Sequence, residues 1–279
     1  MLTQRVITAV VLLALLLPAL FAASPWPFAL LTLALIAAAA WEWARLNGVA
    51  SVAALGPGAL LAIAGGWAVY TGSVTRVPVL LWWIVAGLWV AGGALALRGG
   101  PAAWPNAPAV LRLALGLLAL WAAWLALVQA RVIGVNFVLS VLCLVWVADI
   151  GAYFAGRRFG RRKLAPSISP GKSWEGVWGG LAGVLLLAAL WILVLDRRLP
   201  IDTLSLYTRL QSQWGWIVLV PLVLCLGAMS VVGDLFESLV KRAAGAKDSS
   251  RLLPGHGGVL DRIDALLPTL PIALAFATL

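Results

Sequence analysis

Nine apolar stretches, each close to the length of a membrane-spanning helix and separated by charges, prolines or glycines, leave this chain few ways to fold. A helix needs about 20 such residues to cross the hydrocarbon of a bilayer, where no backbone polar group can be left open. The runs lie near 6–23, 27–45, 53–70, 78–97, 109–128, 134–155, 175–195, 214–233 and 259–279. With 63% hydrophobic and 11% charged residues, the composition is that of repeated membrane spans and excludes an ordinary soluble domain. The expectation is an all-α, polytopic integral membrane protein with about nine transmembrane helices. Many of the 16 tryptophans agree, since Trp26, Trp41, Trp104, Trp174 and Trp214 flank apolar runs as interfacial indoles do. The first run resembles a cleaved leader, because Arg5 precedes it and Ala22 and Ala23 follow. Its length, and a second span almost at once, favour a retained helix.

Orientation follows from the 20 lysines and arginines. With the N-terminus in the cytoplasm, 15 of them face inward: Arg5, Arg45, Arg98, Arg112, six between Arg157 and Lys172, and five from Lys241 to Arg262. Arg76, Arg131, Arg197, Arg198 and Arg209 remain outside. That bias predicts an inside N-terminus and an outside C-terminus. The net charge of +10 is then explained by topology and by anionic lipid headgroups, with no call for nucleic acid. Cys143 and Cys225 fall mid-span in different helices and read as filler.

The ten acidic residues are distributed unevenly. The first 148 residues hold one, Glu42. Asp196 and Asp202 belong to an outer loop, and the other seven map to the cytoplasmic ends of spans six to nine or the loops between them. The chain therefore divides into spans one to five, residues 1–133, and a half that holds the polar chemistry on its cytoplasmic face, residues 134–279.

Four clusters carry that polarity. Asp149, in "CLVWVADIGAYFAGRRFG", sits about two turns inside its helix, where a carboxylate is costly unless it is paired or lines a wet cavity. A packing partner among the arginines of the next loop is the plainer reading. Gly151, Ala155, Gly156 and Gly160 have the spacing of a close helix–helix contact. In "RRFGRRKLAPSISPGKSWEG" the arginines suit lipid phosphates, while Ser167, Ser169, Lys172 and Ser173 sit on a broken loop leading into a helix start that favours an anion. Glu175 reads equally well as a first-turn capping acid, and there is no Walker A pattern.

In "GDLFESLVKR", Asp234, Glu237, Ser238 and Lys241 share one helix face, with Glu237 and Lys241 spaced as an ion pair. Finally "KDSSRLLPGHGGVLDRID" crowds charge around His256, the only histidine. Its glycines, Gly257 and Gly258, would leave amides open to phosphate oxygens, and Asp261 and Asp264 follow in the first turns of the last run.

Taken together the clusters make opposing demands. Lys241, Arg242, Lys247, Arg251 and Arg262 would hold a highly charged anion that Asp234, Asp261, Asp149 and Asp264 would repel. A divalent cation between carboxylates and phosphates reconciles them, and hard oxygen donors without paired Cys or His point to Mg²⁺. The chemistry expected is phosphoryl or nucleotidyl transfer at the inner membrane face.

The run Ser238 to Asp264, "SLVKRAAGAKDSSRLLPGHGGVLDRID", closely resembles the signature of the phosphatidate cytidylyltransferases, and "ADIGAYFAGRRFG", "ISPGKSWEG" and "GDLFES" are similar to that family's other landmarks. Gly171 and Ser173 stand where lysine and threonine are common. The resemblance covers roughly 140 residues from Asp149 onward. It implies transfer of CMP from CTP to phosphatidic acid, giving CDP-diacylglycerol and pyrophosphate, in a dimer in a bacterial-type inner membrane. It implies a metal centre at Asp234 and Asp261, with Asp149 and Asp264 as further candidates, holding Mg²⁺ and a possible second cation. It implies phosphate contacts from Lys241, Arg242, Lys247, His256 and Arg262, and a substrate site completed by Ser169, Lys172, Ser173 and Glu175, with Ser238, Asp248, Gly257 and Gly258 in the same motif. Two rivals stay open: a cytidylyltransferase for another lipid phosphate, and a secondary transporter of an anionic substrate, although no repeated halves are visible. The CDP-alcohol phosphatidyltransferase core, D-G-x-x-A-R, is absent.

Overall fold

Leucine, alanine and valine runs in a medium without water satisfy their backbone only as helices, and helices are what form. A computed structural model describes residues 2–279, except the side chains of Leu2, Thr3 and Arg5, so the inward assignment of Arg5 lies outside the described residues. In chain order the helices are α1 (Leu2–Phe21), α2 (Trp26–Leu46), α3 (Leu55–Tyr70), α4 (Val79–Ala103), α5 (Ala109–Ile133) and α6 (Val135–Phe159). A hairpin follows, β1 (Lys163–Ala165) and β2 (Ser169–Ser173), then α7 (Trp174–Leu190), α8 (Asp196–Arg198), α9 (Leu206–Ala243), α10 (Leu260–Ile263) and α11 (Leu266–Phe276). The protein is all-α apart from that hairpin.

Six helical segments are long and apolar enough to cross a membrane: Trp26–Leu46, Val79–Asn106, Ala109–Ile133, Val135–Phe159, Trp174–Arg198 and Leu206–Ala243. The runs expected near 6–23 and 53–70 form shorter apolar helices. The run expected over 259–279 is divided into α10, of 4 residues, and α11, of 11. Pro268 supplies the reason, since it has no N–H to return to the carbonyl of Asp264. Every residue of α11 from Leu267 to Phe276 is buried, against α4, α5 and α9, which fits a helix apolar all round. The eighth run lies within α9, where Gly215 (φ 70°) breaks the helical path and sets off Leu206–Trp214 from the remainder.

α6 and α7 pack antiparallel and very close. A Cβ on Gly151 would stand 2.9 Å from the Gly179 carbonyl oxygen, and one on Gly180 would stand 2.6 Å from that of Ala148. The small-residue spacing along α6 thus serves helix contact, as expected. One buried core runs from Ala19 to Phe276, so the division at residue 133 describes where charge lies and does not separate two cores.

The two ends of the bundle differ. At one end Asn136 on α6 donates from Nδ2 to Asp196 Oδ1 (2.9 Å), Ser205 donates from Oγ to Asp196 Oδ2 (2.7 Å), and Trp191 donates from Nε1 to Asn136 Oδ1 (3.0 Å). Asp202 accepts the amide of Asn136 (3.0 Å), and Arg131 Nε donates to the Leu20 carbonyl (2.8 Å). Asp196 and Asp202 therefore belong together, away from the other acids. The opposite end gathers the hairpin, the end of α9, the loop 244–259 and α10. Thr8, near the start of α1, reaches it by donating to the Pro254 carbonyl (2.9 Å).

Candidate active site

Four elements converge on a cavity of about 460 Å³ at that second end: α6 brings Asp149, Tyr153 and Arg157, β2 brings Ser169 and Lys172, α7 brings Gly176 and Val177, and α9 brings Asp234. The hairpin is short because α6 and α7 are nearly in contact, and its register, Lys163 opposite Ser173, sets Lys172 on the cavity wall. Lys172 forms an ion pair with Asp234, and both side chains keep access to solvent, at 26% and 29%. Ser238, one turn on, donates to Asp234 Oδ1 at 3.4 Å. Ser173 lines the same cavity and caps α7 by accepting the Gly176 amide (3.2 Å). Glu175 does not line it. Its carboxylate accepts the backbone amides of Arg161 (3.0 Å) and Arg162 (3.2 Å), which braces the turn after α6.

A second polar group lies further along α9. Lys241 is seven residues beyond Asp234, about 10 Å of helical rise, and its ammonium is held between Glu237 and Asp261. Asp261 Oδ1 receives Lys241 at 2.6 Å; its Oδ2 receives the Ser249 amide (2.9 Å), the Ser249 hydroxyl (2.8 Å) and the Gly258 amide (2.7 Å). The expected ion pair of Glu237 with Lys241 is present. The amide of Gly258 is not open to a phosphate, because Asp261 already accepts from it. Gly257 (φ 83°) turns the chain tightly enough to bring this about.

The surrounding cations are placed more loosely. Arg242 donates from Nε to the Ile168 carbonyl (3.3 Å), tying the hairpin to α9, and Arg262 donates from Nε to the His256 carbonyl (3.0 Å). Arg242, Lys247, Asp248, Arg251 and Arg262 are exposed, whereas His256 is half-buried with Nδ1 unpartnered among the described residues. Asp264 accepts from the Ala265 amide (2.7 Å) at the break between α10 and α11.

A family model described as "Cytidylyltransferase family" matches residues 3–279. The chain belongs to the cytidylyltransferase family. A phosphatidate cytidylyltransferase of Pseudomonas aeruginosa is 41% identical over 281 residues, covering 99% of this chain and 96% of the relative. Phosphatidate cytidylyltransferases of Haemophilus influenzae and Thermotoga maritima are 51% and 43% identical over 138 and 143 residues, about half of this chain and 44% and 49% of those relatives.

For a member of this family the position of the acids matters. Asp149 and Asp234 line one cavity with serine hydroxyls and no cysteine or histidine, a donor set suited in kind to a hard divalent cation. Asp261 is elsewhere, with both oxygens engaged by other groups. Among the described residues no three His, Cys, Asp or Glu side chains converge as metal ligands, and Asp261 does not line the cavity that holds Asp234.

One residue was passed over by the sequence reading. Glu42, on α2 and fully buried, accepts from the Val259 amide (3.0 Å), the Leu260 amide (2.7 Å) and the hydroxyls of Ser250 (2.5 Å) and Ser249 (3.2 Å). The signal was present in the sequence: it is the sole acid of the first 148 residues, and it lies inside an apolar run.

Proposed function

We propose that this chain is a phosphatidate cytidylyltransferase acting at the cytoplasmic face of a bacterial inner membrane, with CTP and phosphatidic acid as substrates. A phosphate oxygen of phosphatidic acid forms a bond to the α-phosphorus of CTP, the bond from that phosphorus to the β-phosphate oxygen breaks, and pyrophosphate leaves with CDP-diacylglycerol as product. The names of the relatives supply the reaction, and the cavity lined by Asp149, Lys172 and Asp234 is the observation that carries it here. It combines acids with a cation at the edge of an apolar bundle, where a soluble nucleotide and a lipid phosphate can meet.

No covalent enzyme intermediate is required, since the lipid phosphate is the nucleophile; the protein contributes alignment and charge neutralisation. Lys172 and Arg157, which both line the cavity, would meet phosphate oxygens, and Ser169 would donate a hydroxyl. Asp149 and Asp234 would hold Mg²⁺, which supplies electrostatic stabilisation of the triphosphate and of the departing pyrophosphate. The exposed Arg242, Arg251 and Arg262 raise the local concentration of anionic substrate. A homodimer is part of the same reading, on the resemblance alone.

The test is pyrophosphate release by the purified protein in detergent with phosphatidic acid, CTP and Mg²⁺. Release is expected with the wild type and absent with Asp234→Asn in a folded variant. No release from the wild type with phosphatidic acid, but release with another lipid phosphate, would move the chain to a neighbouring specificity; none with any lipid phosphate would favour transport.

A further inference from the structure

We infer that Glu42 is a positioning residue for the transfer reaction: from the N-terminal half of the chain, it holds the loop 249–260 and the start of α10 in the conformation that presents His256 and Arg262 to the phosphates of the nucleotide. The inference rests on the proposed cytidylyltransferase activity.

Four donors point at one carboxylate. Ser249 and Ser250 are 207 and 208 residues from Glu42 in sequence, and Val259 and Leu260 are 217 and 218 away, so both ends of the loop are tied to a single point on α2. A carboxylate is acceptor-only, with about four lone-pair sites, and here it faces donors alone. The Ser249 hydroxyl lies between Glu42 and Asp261, at 3.2 Å and 2.8 Å, and its one proton can serve only one of them at a time. Glu42 and Asp261 therefore organise one loop from opposite sides. A Cβ on Gly258 would collide with both the Ser249 hydroxyl and Glu42 Oε1, so Gly258 is the residue that lets the chain pass between them.

Glu42→Gln turns an amide donor towards amide and hydroxyl donors, leaving at least one buried group unpaired. The loop loosens, and the groups it carries lose their alignment.

The experiment compares full-length wild type, Glu42→Gln and Glu42→Asp in detergent. Hydrogen exchange of peptides covering 249–260 needs no substrate; Glu42→Gln is expected to speed it about tenfold or more, at unchanged exchange in α6 and α7. In the pyrophosphate assay kcat is expected to fall 10- to 100-fold with KM for CTP changed less than threefold, and Glu42→Asp to recover part of the loss. Unchanged loop exchange and unchanged kcat in a folded Glu42→Gln variant would overturn the inference. Should that variant not fold, Ser250→Ala removes one of the four donors; faster loop exchange with a three- to tenfold lower kcat supports the inference, and no change in either overturns it. If the wild type itself gives no pyrophosphate, the proposed activity falls, while the exchange comparison still decides whether Glu42 holds the loop.

Discussion

Lys241 Nζ lies 2.6 Å from Asp261 Oδ1, and on its other side it meets Glu237, so one ammonium bridges two acids from two elements. The side chains of Lys241, Asp261 and Glu237 are 12%, 7% and 1% exposed, which makes this a buried triad. Removing one member of a buried ion pair leaves a charge uncompensated, at a cost of about 3–5 kcal/mol. Lys241→Met should therefore lower the apparent Tm in detergent markedly and lose activity with it. A variant as stable as the wild type would return Lys241 to the role of a simple phosphate contact.

The Lys172–Asp234 pair should behave in the opposite way. Both side chains are more than a quarter exposed, so the pair adds only about 0–1 kcal/mol to stability. Lys172→Met should leave the Tm within a few degrees and lower pyrophosphate release on the order of 100-fold. Parallel loss of stability and activity would mark the pair as a strut of the fold.

Cation dependence follows from the oxygen donors of the cavity. Stripping divalent ions with EDTA should stop turnover, and Mg²⁺ or Mn²⁺ should restore it, whereas Zn²⁺ should restore little. Undiminished turnover in EDTA would remove the cation from the proposed reaction.

Close approach of α6 and α7 predicts a steric effect. Gly180→Val places branched carbon against the Ala148 carbonyl and forces the helices apart, at a cost of about 1–3 kcal/mol. Because these helices carry Asp149 and the hairpin that bears Lys172, activity should fall along with the Tm. A variant with wild-type Tm and turnover would show that the helices can separate without cost.

Local patterns in the sequence were informative where neighbours along the chain are neighbours in space. The apolar runs mark the helices, the glycines after Asp149 mark the α6–α7 contact, and the four-residue spacing of Glu237 and Lys241 marks their ion pair. Lys172 meeting Asp234 joins residues 62 apart, and Glu42 meeting Leu260 joins residues 218 apart; no helical period encodes either. The Gly258 amide follows the same rule: a tight turn exposes an N–H group, but which acid takes it is decided by packing. Asp261 meets Lys241, 20 residues away in sequence, and that pairing too lies beyond any helical period.

Asn136, Asp196, Asp202 and Ser205 clasp the far ends of α6, α7 and α9 with neutral and acidic groups whose partners are all present in the network. The other end, besides its buried ties, carries the Lys172–Asp234 pair, whose ammonium and carboxylate both keep access to solvent. A lipid phosphate arriving at the cavity would meet the bundle at the end opposite this clasp, where that ion pair is open to solvent.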